Sequence, residues 1–577
     1  MSAARWWQRP WAPLCVIVLG VALHLPALGL GFLADDWGQQ LVLEEPIAGS
    51  TMQPWSLYDF GTRASIALTF GDDSVMPWWT DPQWKARFFR PLTSLVLWGE
   101  SELLGRNGPA RHALGLLWQA LFLALAWRLF LALGLTRGLA LLALAVLACE
   151  DGAMMSVGWL ANRNSLLEGV ACAASLLAAL RARERGGAAH VALALLFGAL
   201  AFGAKESGLA AWLGCLFLWA RAPALAARRG ALVAGACFVL ALVFLLAAGY
   251  GTRSLFYPTP WGDPLRYARH LVGLVSGAPL ALLGPWPLDA LEMVPGAFPV
   301  LTSGALVVLV LLRGPLVAAA RRVPHGPALL LFALASLGIQ ACALPSDRLL
   351  FVPALVLAPF VALLLEELCQ GAASATRVWR VLGRALIVTS LPLSALLLVL
   401  RGTMIAGLSA RVAEVFATME LEPSPLARRD VLLLSSPTVL AMLSPQAGWR
   451  FATGERETRF HPLQMTRRGL ALTRIDAHTL EIESLDQPFL TTPFEGVFLG
   501  AGGGPAAGER RANEAFEFEF LDGPPARAVR VRARETLDST RYRMLAWRDG
   551  RWRVCALPAP GERLELAAPE PLSVLVP

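Results

Sequence analysis

The sequence predicts a polytopic α-helical membrane protein, with about eleven transmembrane helices over residues 1–410 and a β-rich soluble domain over 411–577. Three observations predict this. Hydrophobic residues make up 56% of the 577-residue chain, charged residues only 16%, and the mean hydropathy is +0.53; a soluble domain carries about 25% charged residues. Apolar runs recur up to about residue 402, and the longest match the ~20 residues that cross hydrocarbon. Beyond residue 410 a strict two-residue alternation replaces them. Together these exclude an ordinary cytosolic enzyme, a disordered chain and a disulfide scaffold.

The net charge of +7 comes from 50 Lys plus Arg against 43 Asp plus Glu, and Lys85 and Lys205 are the only lysines. With so much Ala, Leu, Gly and Arg, a GC-rich coding sequence accounts for the arginines, and no nucleic-acid partner is expected. Loop arginines orient membrane helices. Seven of the eight cysteines lie in or beside apolar segments and only Cys555 falls in the polar part. No CxxC or Cys/His cluster suggests zinc.

Arg5 and Arg9 precede an apolar run over about 11–33, read as an uncleaved first helix with a cytoplasmic N-terminus. Residues 34–111 form a long polar loop containing Trp37, Trp55, Trp78, Trp79, Trp84 and Trp98. A loop of that length between membrane helices is usually functional, and it is expected to face outward. Spans follow at about 113–133, 138–149, 164–180, 188–203, 207–220 and 230–249. Arg137, then Arg181, Arg183 and Arg185, then Arg221, Arg228 and Arg229 mark the cytoplasmic side, leaving 150–163 and 204–206 outside. The stretch 265–299 is apolar but interrupted by Pro279, Pro285 and Pro287; a re-entrant or paired short-helix segment keeps Arg321, Arg322 and the 377–384 arginines inside. Spans at about 300–312, 326–344, 350–367 and 385–402 complete the set and leave the C-terminus extracytoplasmic.

The last domain opens with an α/β-like strand at Val431–Leu434. Phe516-Glu517-Phe518-Glu519-Phe520 and Val529-Arg530-Val531-Arg532-Ala533-Arg534 alternate as half-buried strands. Trp547-Arg548-Asp549-Gly550-Arg551-Trp552 reads as two strands joined by an Asp-Gly turn.

Chemistry centres on the segments beside the spans. Asp35 and Asp36 follow the first helix directly, where carboxylates beside hydrocarbon must be paired, hydrated or used. Such a group can take a proton from an acceptor hydroxyl or ligate Mg²⁺ or Mn²⁺; no second carboxylate cluster argues for the metal. The plainer reading is a helix-end marker. Four further motifs fall on the same expected face: Phe88-Phe89-Arg90-Pro91-Leu92, Trp159-Leu160-Ala161-Asn162-Arg163-Asn164, Ala204-Lys205-Glu206-Ser207-Gly208 and Ser346-Asp347-Arg348-Leu349-Leu350. Arg suits bidentate phosphate contacts and Lys acts as a point charge. Against this, Arg90 and Arg348 have the plainer reading of snorkelling cations, and Lys205 and Glu206 that of a mutual pair. Asp72-Asp73 reads as a turn or cap, with a contribution to the site as the alternative, His112 as an interface residue, with a phosphate contact as the alternative, Asp263 and Asp289 as capping or loop residues, and Glu366-Glu367 as cytoplasmic.

The order of these motifs, from Asp35-Asp36-Trp37 to Ser346-Asp347-Arg348, resembles the membrane region of GT-C superfamily glycosyltransferases over residues 11–400. The pattern is closest to transmembrane and tetratricopeptide-repeat O-mannosyltransferases and their bacterial relatives. The resemblance implies a polyprenyl-phosphate-linked sugar donor and a catalytic role for Asp35 or Asp36. From their residue types and shared expected face, Arg90, Arg163, Lys205 and Arg348 are the expected donor-phosphate contacts, with His112, Glu150, Asp151, Asn162, Glu206 and Asp347 as acceptor or supporting residues. The chain departs from the pattern by lacking the repeats, and by replacing the usual histidine-and-proline turn with Ala148-Cys149-Glu150-Asp151.

The function so implied is transfer of a sugar to an acceptor hydroxyl of a glycan, lipid or protein. It would take place at the outer face of a bacterial inner or cytoplasmic membrane. A multi-pass transporter or lipid flippase is the alternative. It predicts midplane polar groups and paired repeats, whereas the charges here lie mainly at one expected face and no repeat is evident.

Overall fold

The computed structural model describes residues 8–71, 75–370, 376–422, 428–443, 445–500, 502–523 and 525–570. Asp72, Asp73 and Arg5 therefore lie outside the described residues. The chain divides into two compact units: unit 1 comprises Met1–Leu30, Phe89–Tyr250 and Pro258–Ala406, and unit 2 comprises Gly31–Phe88, Gly251–Tyr257 and Gly407–Pro577. Most of the long first loop thus belongs to the same unit as the C-terminal region.

Unit 1 is helical. Six helical segments of the chain are long and apolar enough to cross a membrane: Ala12–Gly29, Gly108–Ala132, Leu160–Arg185, Leu225–Ala247, Asp347–Gln370 and Arg377–Ala417, the last of which belongs to unit 1 only as far as Ala406. A seventh candidate is the pair Ala297–Leu311 and Arg313–Arg322, bent by 69°. Four shorter apolar helices, Arg137–Cys149, Ala188–Ala204, Glu206–Trp219 and Gly326–Gln340, complete the apolar set among the described residues. Over their most apolar 18 residues, 94% of Asp347–Gln370 is buried but only 22% of Leu225–Ala247, which exposes Leu232, Leu240 and Leu246. A helix apolar on every side yet uncovered by protein is what lipid contact requires.

The proline-interrupted stretch differs from the sequence expectation. Pro264–Leu283 is one continuous helix, started by the Asp263 side chain, which accepts from the Arg266 N–H (3.1 Å). Pro279 lies inside it, between buried Ala278 and Leu280. One lost backbone bond does not break a helix whose apolar face is packed this thoroughly. The chain turns only after Leu283, before the single-turn helix Ala290–Met293.

Unit 2 is mainly β. A three-stranded sheet joins β1 (Asp59–Thr62), β2 (Lys85–Arg87) and β3 (Gly251–Arg253). The strands after residue 428 are β4 (Arg429–Leu433), β5 (Thr458–Pro462), β6 (Leu470–Arg474), β7 (Thr479–Ser484), β8 (Arg510–Ala512), β9 (Phe516–Phe520), β10 (Ala528–Ala533), β11 (Tyr542–Arg548), β12 (Arg551–Val554) and β13 (Arg563–Leu566). They build a six-stranded antiparallel sheet, β13-β6-β7-β10-β9-β8, and a four-stranded sheet, β12-β11-β4-β5, in which β4 runs parallel to both neighbours. The two alternating motifs pair as neighbours, Val531 opposite Phe518. Phe516, Phe518 and Phe520 are buried, while Glu519 faces Arg510 and Arg530 at 3.5 and 3.6 Å. The Asp-Gly turn is as expected: Arg548 pairs with Arg551, and Asp549 and Gly550 both have positive φ (49° and 75°), as a type I′ turn demands.

The tryptophans of the long loop are built into this unit. Trp78 stacks on Phe518 at 4.7 Å. Trp78, Trp79 and Trp84 donate their indole N–H groups to the carbonyls of Leu463, Glu495 and Val497. Each ring thereby buries its apolar face and satisfies its donor.

Candidate active site

The cations singled out in the sequence sit at helix breaks of unit 1. Lys205 ends Ala188–Ala204 with extended backbone (φ −158°), and the turn Glu206–Gly208 follows. A Cβ at Gly208 would lie 2.2 Å from the Ala201 carbonyl oxygen, so only glycine closes this turn. Lys205 is buried. Its Nζ donates to Ser165 Oγ (2.9 Å) and Gln340 Oε1 (3.3 Å) and stands 3.9 Å from Glu168 Oε2. Ser165 in turn donates to Asn162 Oδ1 (3.0 Å), whose amide donates to the Met155 carbonyl (3.2 Å).

Arg90 caps Pro91–Leu104, a helix that begins on proline as first turns favour. Its Nε donates to Glu206 Oε2 at 3.2 Å. Arg348, in the 3₁₀ turn Asp347–Leu350, lies over the Trp159 ring at 5.0 Å. The charges of Arg90 and Arg348 both act on Lys205, as do those of Glu168 and Glu206. Three cations and two carboxylates thus act on one another in unit 1.

Arg163 goes elsewhere. It is buried, donates to Glu100 Oε2 (3.3 Å) and to the Arg111 carbonyl (2.8 Å), and Arg111 approaches the same carboxylate at 3.8 Å. Its position, expected to face the donor, is instead a buried ion pair between helices. Sequence position shows that Arg163 opens a helix but not which face it takes. His112 is buried within Gly108–Ala132.

A second polar group gathers around Arg401. Arg401 Nη2 donates to Asp347 Oδ2 (2.7 Å) and Asp289 Oδ2 (3.4 Å), and Nη1 stands 3.6 Å from Asp151 Oδ2. Glu150 is buried beside them and accepts from the Gly152 N–H (2.9 Å). Burial first, then the charges of Asp151 and Asp347, push the Glu150 carboxyl up to about 8, against the Gly152 hydrogen bond and Arg401. Burial likewise raises Asp151, though Arg401 opposes it. The folded chain therefore holds protons here that the unfolded chain releases above the ordinary carboxylate range. Stability from this source is complete at low pH and declines as pH rises from about 4.5 to about 8. We expect Glu150→Gln, which keeps an acceptor for Gly152, to flatten this decline. The check is the unfolding midpoint of detergent-purified protein between pH 5 and 9; parallel wild-type and variant curves would refute it.

The acid pair lies in unit 2. Asp35 opens the helix Asp35–Glu44 and is half-buried, and Asp36 is buried with Oδ2 accepting from the Leu33 N–H (2.9 Å). Ala34, just before them, has φ +48°. A non-glycine residue there stores about 1–3 kcal/mol of strain, and such strain clusters at functional sites. The conformation starts the helix with both carboxylates in its first turn, where the helix dipole favours negative charge.

Among the described residues, no group of three or more His, Cys, Asp and Glu side chains is arranged to hold a metal ion. Asp151, Asp289 and Asp347 converge on a guanidinium, which supplies the positive charge at their centre.

Among solved structures, the chain aligns with the archaeal oligosaccharyltransferase AglB from Archaeoglobus fulgidus in complex with an inhibitory peptide and a dolichol-phosphate. Identity is 14%, the TM-score 0.43, and coverage 80% of this chain and 65% of that one. The apo form of the Archaeoglobus fulgidus oligosaccharyltransferase gives 15%, 0.46, 80% and 66%, and its complex with Zn and sulfate gives 13%, 0.41, 78% and 62%. The chain is similar to these oligosaccharyltransferases. It spans just under two thirds of their length. No protein-family model and no curated protein matches it.

Sequence reasoning did not find Arg401, Asp289 or Glu168. Arg401 carried a signal, a lone arginine within an apolar stretch, but one that snorkelling also explains. Asp289, expected as a capping or loop residue, joins Asp347 and Arg401. Asp263 does cap its helix, as expected. Glu366 and Glu367 both pair with Arg322.

Proposed function

We propose that the protein is a GT-C-type membrane glycosyltransferase that moves a sugar from a polyprenyl-phosphate-linked donor to an acceptor hydroxyl. The observation that supports this reading is the meeting of Arg90, Lys205 and Arg348 in unit 1, three cations from segments more than a hundred residues apart, with Glu168 and Glu206 between them. The acceptor oxygen attacks the anomeric carbon as the bond from that carbon to the phosphate oxygen breaks. The polyprenyl phosphate leaves with the bonding pair, and the three cations stabilise its charge. The acceptor proton passes to a carboxylate, assigned from the sequence as Asp35 or Asp36. The Arg401 group, with Glu150, Asp151 and Asp347, supports the donor-binding segments.

On this proposal the four shorter apolar helices are taken as spans beside the six long ones and the bent pair. In this reading the N-terminus is cytoplasmic, the sugar is transferred at the outer face, and unit 2 is extracytoplasmic. The acceptor is a glycan, lipid or protein hydroxyl.

Lys205→Met and Arg348→Ala are each expected to raise the KM for donor about tenfold or more, since a hydrogen bond to a charged group contributes roughly 1.5–3 kcal/mol. Initial rates in proteoliposomes against donor concentration provide the check. Unchanged KM in both variants would remove the phosphate assignment.

A further inference from the structure

The turn that carries Arg348 is pinned from outside through Asp347. Asp347 Oδ1 accepts from the Leu288 N–H (3.0 Å), its backbone N–H donates to Asp289 Oδ1 (3.3 Å), and its Oδ2 accepts from Arg401 (2.7 Å). Arg401 also holds Asp289 (3.4 Å) and reaches both the Asp151 carbonyl (3.5 Å) and its carboxylate (3.6 Å). One guanidinium therefore ties together the ends of three segments: the turn after Arg137–Cys149, the break after Pro264–Leu283 and the turn before Phe351–Gln370. A planar five-donor group can bridge several carboxylates in fixed directions, which an ammonium cannot. On the other side of the same turn, Arg348 lies over Trp159 and acts on Lys205.

The geometry points to Arg401 as a positioning residue that acts through Asp347 to hold Arg348 at the donor phosphate. The inference rests on the donor-binding reading above. Arg401 does not touch the phosphate. It fixes the peptide from which Arg348 projects, so its loss lets that turn relax and the cation drift from its place over Trp159. A residue acting only through Arg348 has nothing left to contribute once Arg348 is gone.

The test is a double-mutant cycle on the full-length protein in detergent, with a polyprenyl phosphate as the probe and its dissociation constant as the readout. Arg401→Gln is expected to weaken binding about tenfold and Arg348→Ala at least as much. The double variant should bind no more weakly than Arg348→Ala alone. Asp347→Asn, which keeps the acceptor for Leu288 and removes the charge facing Arg401, serves the same cycle if Arg401→Gln does not fold. Losses that multiply in the cycle, in a protein whose wild type binds the probe, would overturn the positioning role alone. Failure of the wild type to bind any polyprenyl phosphate would overturn the donor-binding reading and the positioning role with it.

Discussion

Replacing Asp35 and Asp36 one at a time by asparagine is expected to cut sugar transfer about 10²–10⁴-fold in one of the two variants, the range that a positioned general base contributes. The larger loss is expected for Asp35→Asn. Asp36 is buried and engages Oδ2 with the Leu33 N–H, which suits a residue that starts the helix, whereas Asp35 is reachable from solvent. Asparagine keeps the shape and an acceptor oxygen, so Asp36→Asn should fold and retain most activity. Transfer is measured in membranes at matched expression. Undiminished transfer by both variants would end the catalytic assignment. A loss confined to Asp36→Asn would exchange the two roles.

Arg468→Met is expected to destabilise unit 2 by about 3–5 kcal/mol, because breaking a buried pair leaves its partner's charge without compensation. Arg468 and Glu495 are 2% and 0% exposed and meet through two hydrogen bonds of 2.8 and 3.1 Å. Glu495 also accepts from the Thr492 N–H and hydroxyl (3.1 and 2.9 Å), and its carbonyl receives the Trp79 indole. The loss thus spreads to the segment that anchors Trp79. The double replacement Arg468→Met with Glu495→Leu should recover part of it, since apolar groups of similar volume need no partner. Thermal unfolding of the purified chain, followed by tryptophan emission, reads both effects. A single variant as stable as wild type would show that the pair is dispensable.

What could be read from the sequence divides along physical lines. The membrane helices were legible because each is specified locally, by a run of apolar side chains. So were β9, β10 and the β11–β12 hairpin, where the alternation and the Asp-Gly turn specify their own pairing. The candidate site was legible only as residue types. Lys205, Arg90 and Arg348 announced themselves as charges at helix breaks, yet nothing local distinguishes them from Arg163, which turns to Glu100. The partners of Arg401 come from residues 151, 289 and 347, and no periodicity spans such separations. The place of the loop tryptophans was hidden for the same reason, because an indole that donates to a carbonyl nearly four hundred residues later leaves no local trace.

That last feature sets an order of events during synthesis. A ribosome releases Trp78, Trp79 and Trp84 respectively 385, 416 and 413 residues before the carbonyls of Leu463, Glu495 and Val497 that receive them. For most of translation these indoles wait without their eventual acceptors. Closing so distant a contact is entropically slow, so the assembly should be among the last to mature. A polypeptide stalled before residue 463 would carry its apolar helices complete and its tryptophans still without these acceptors.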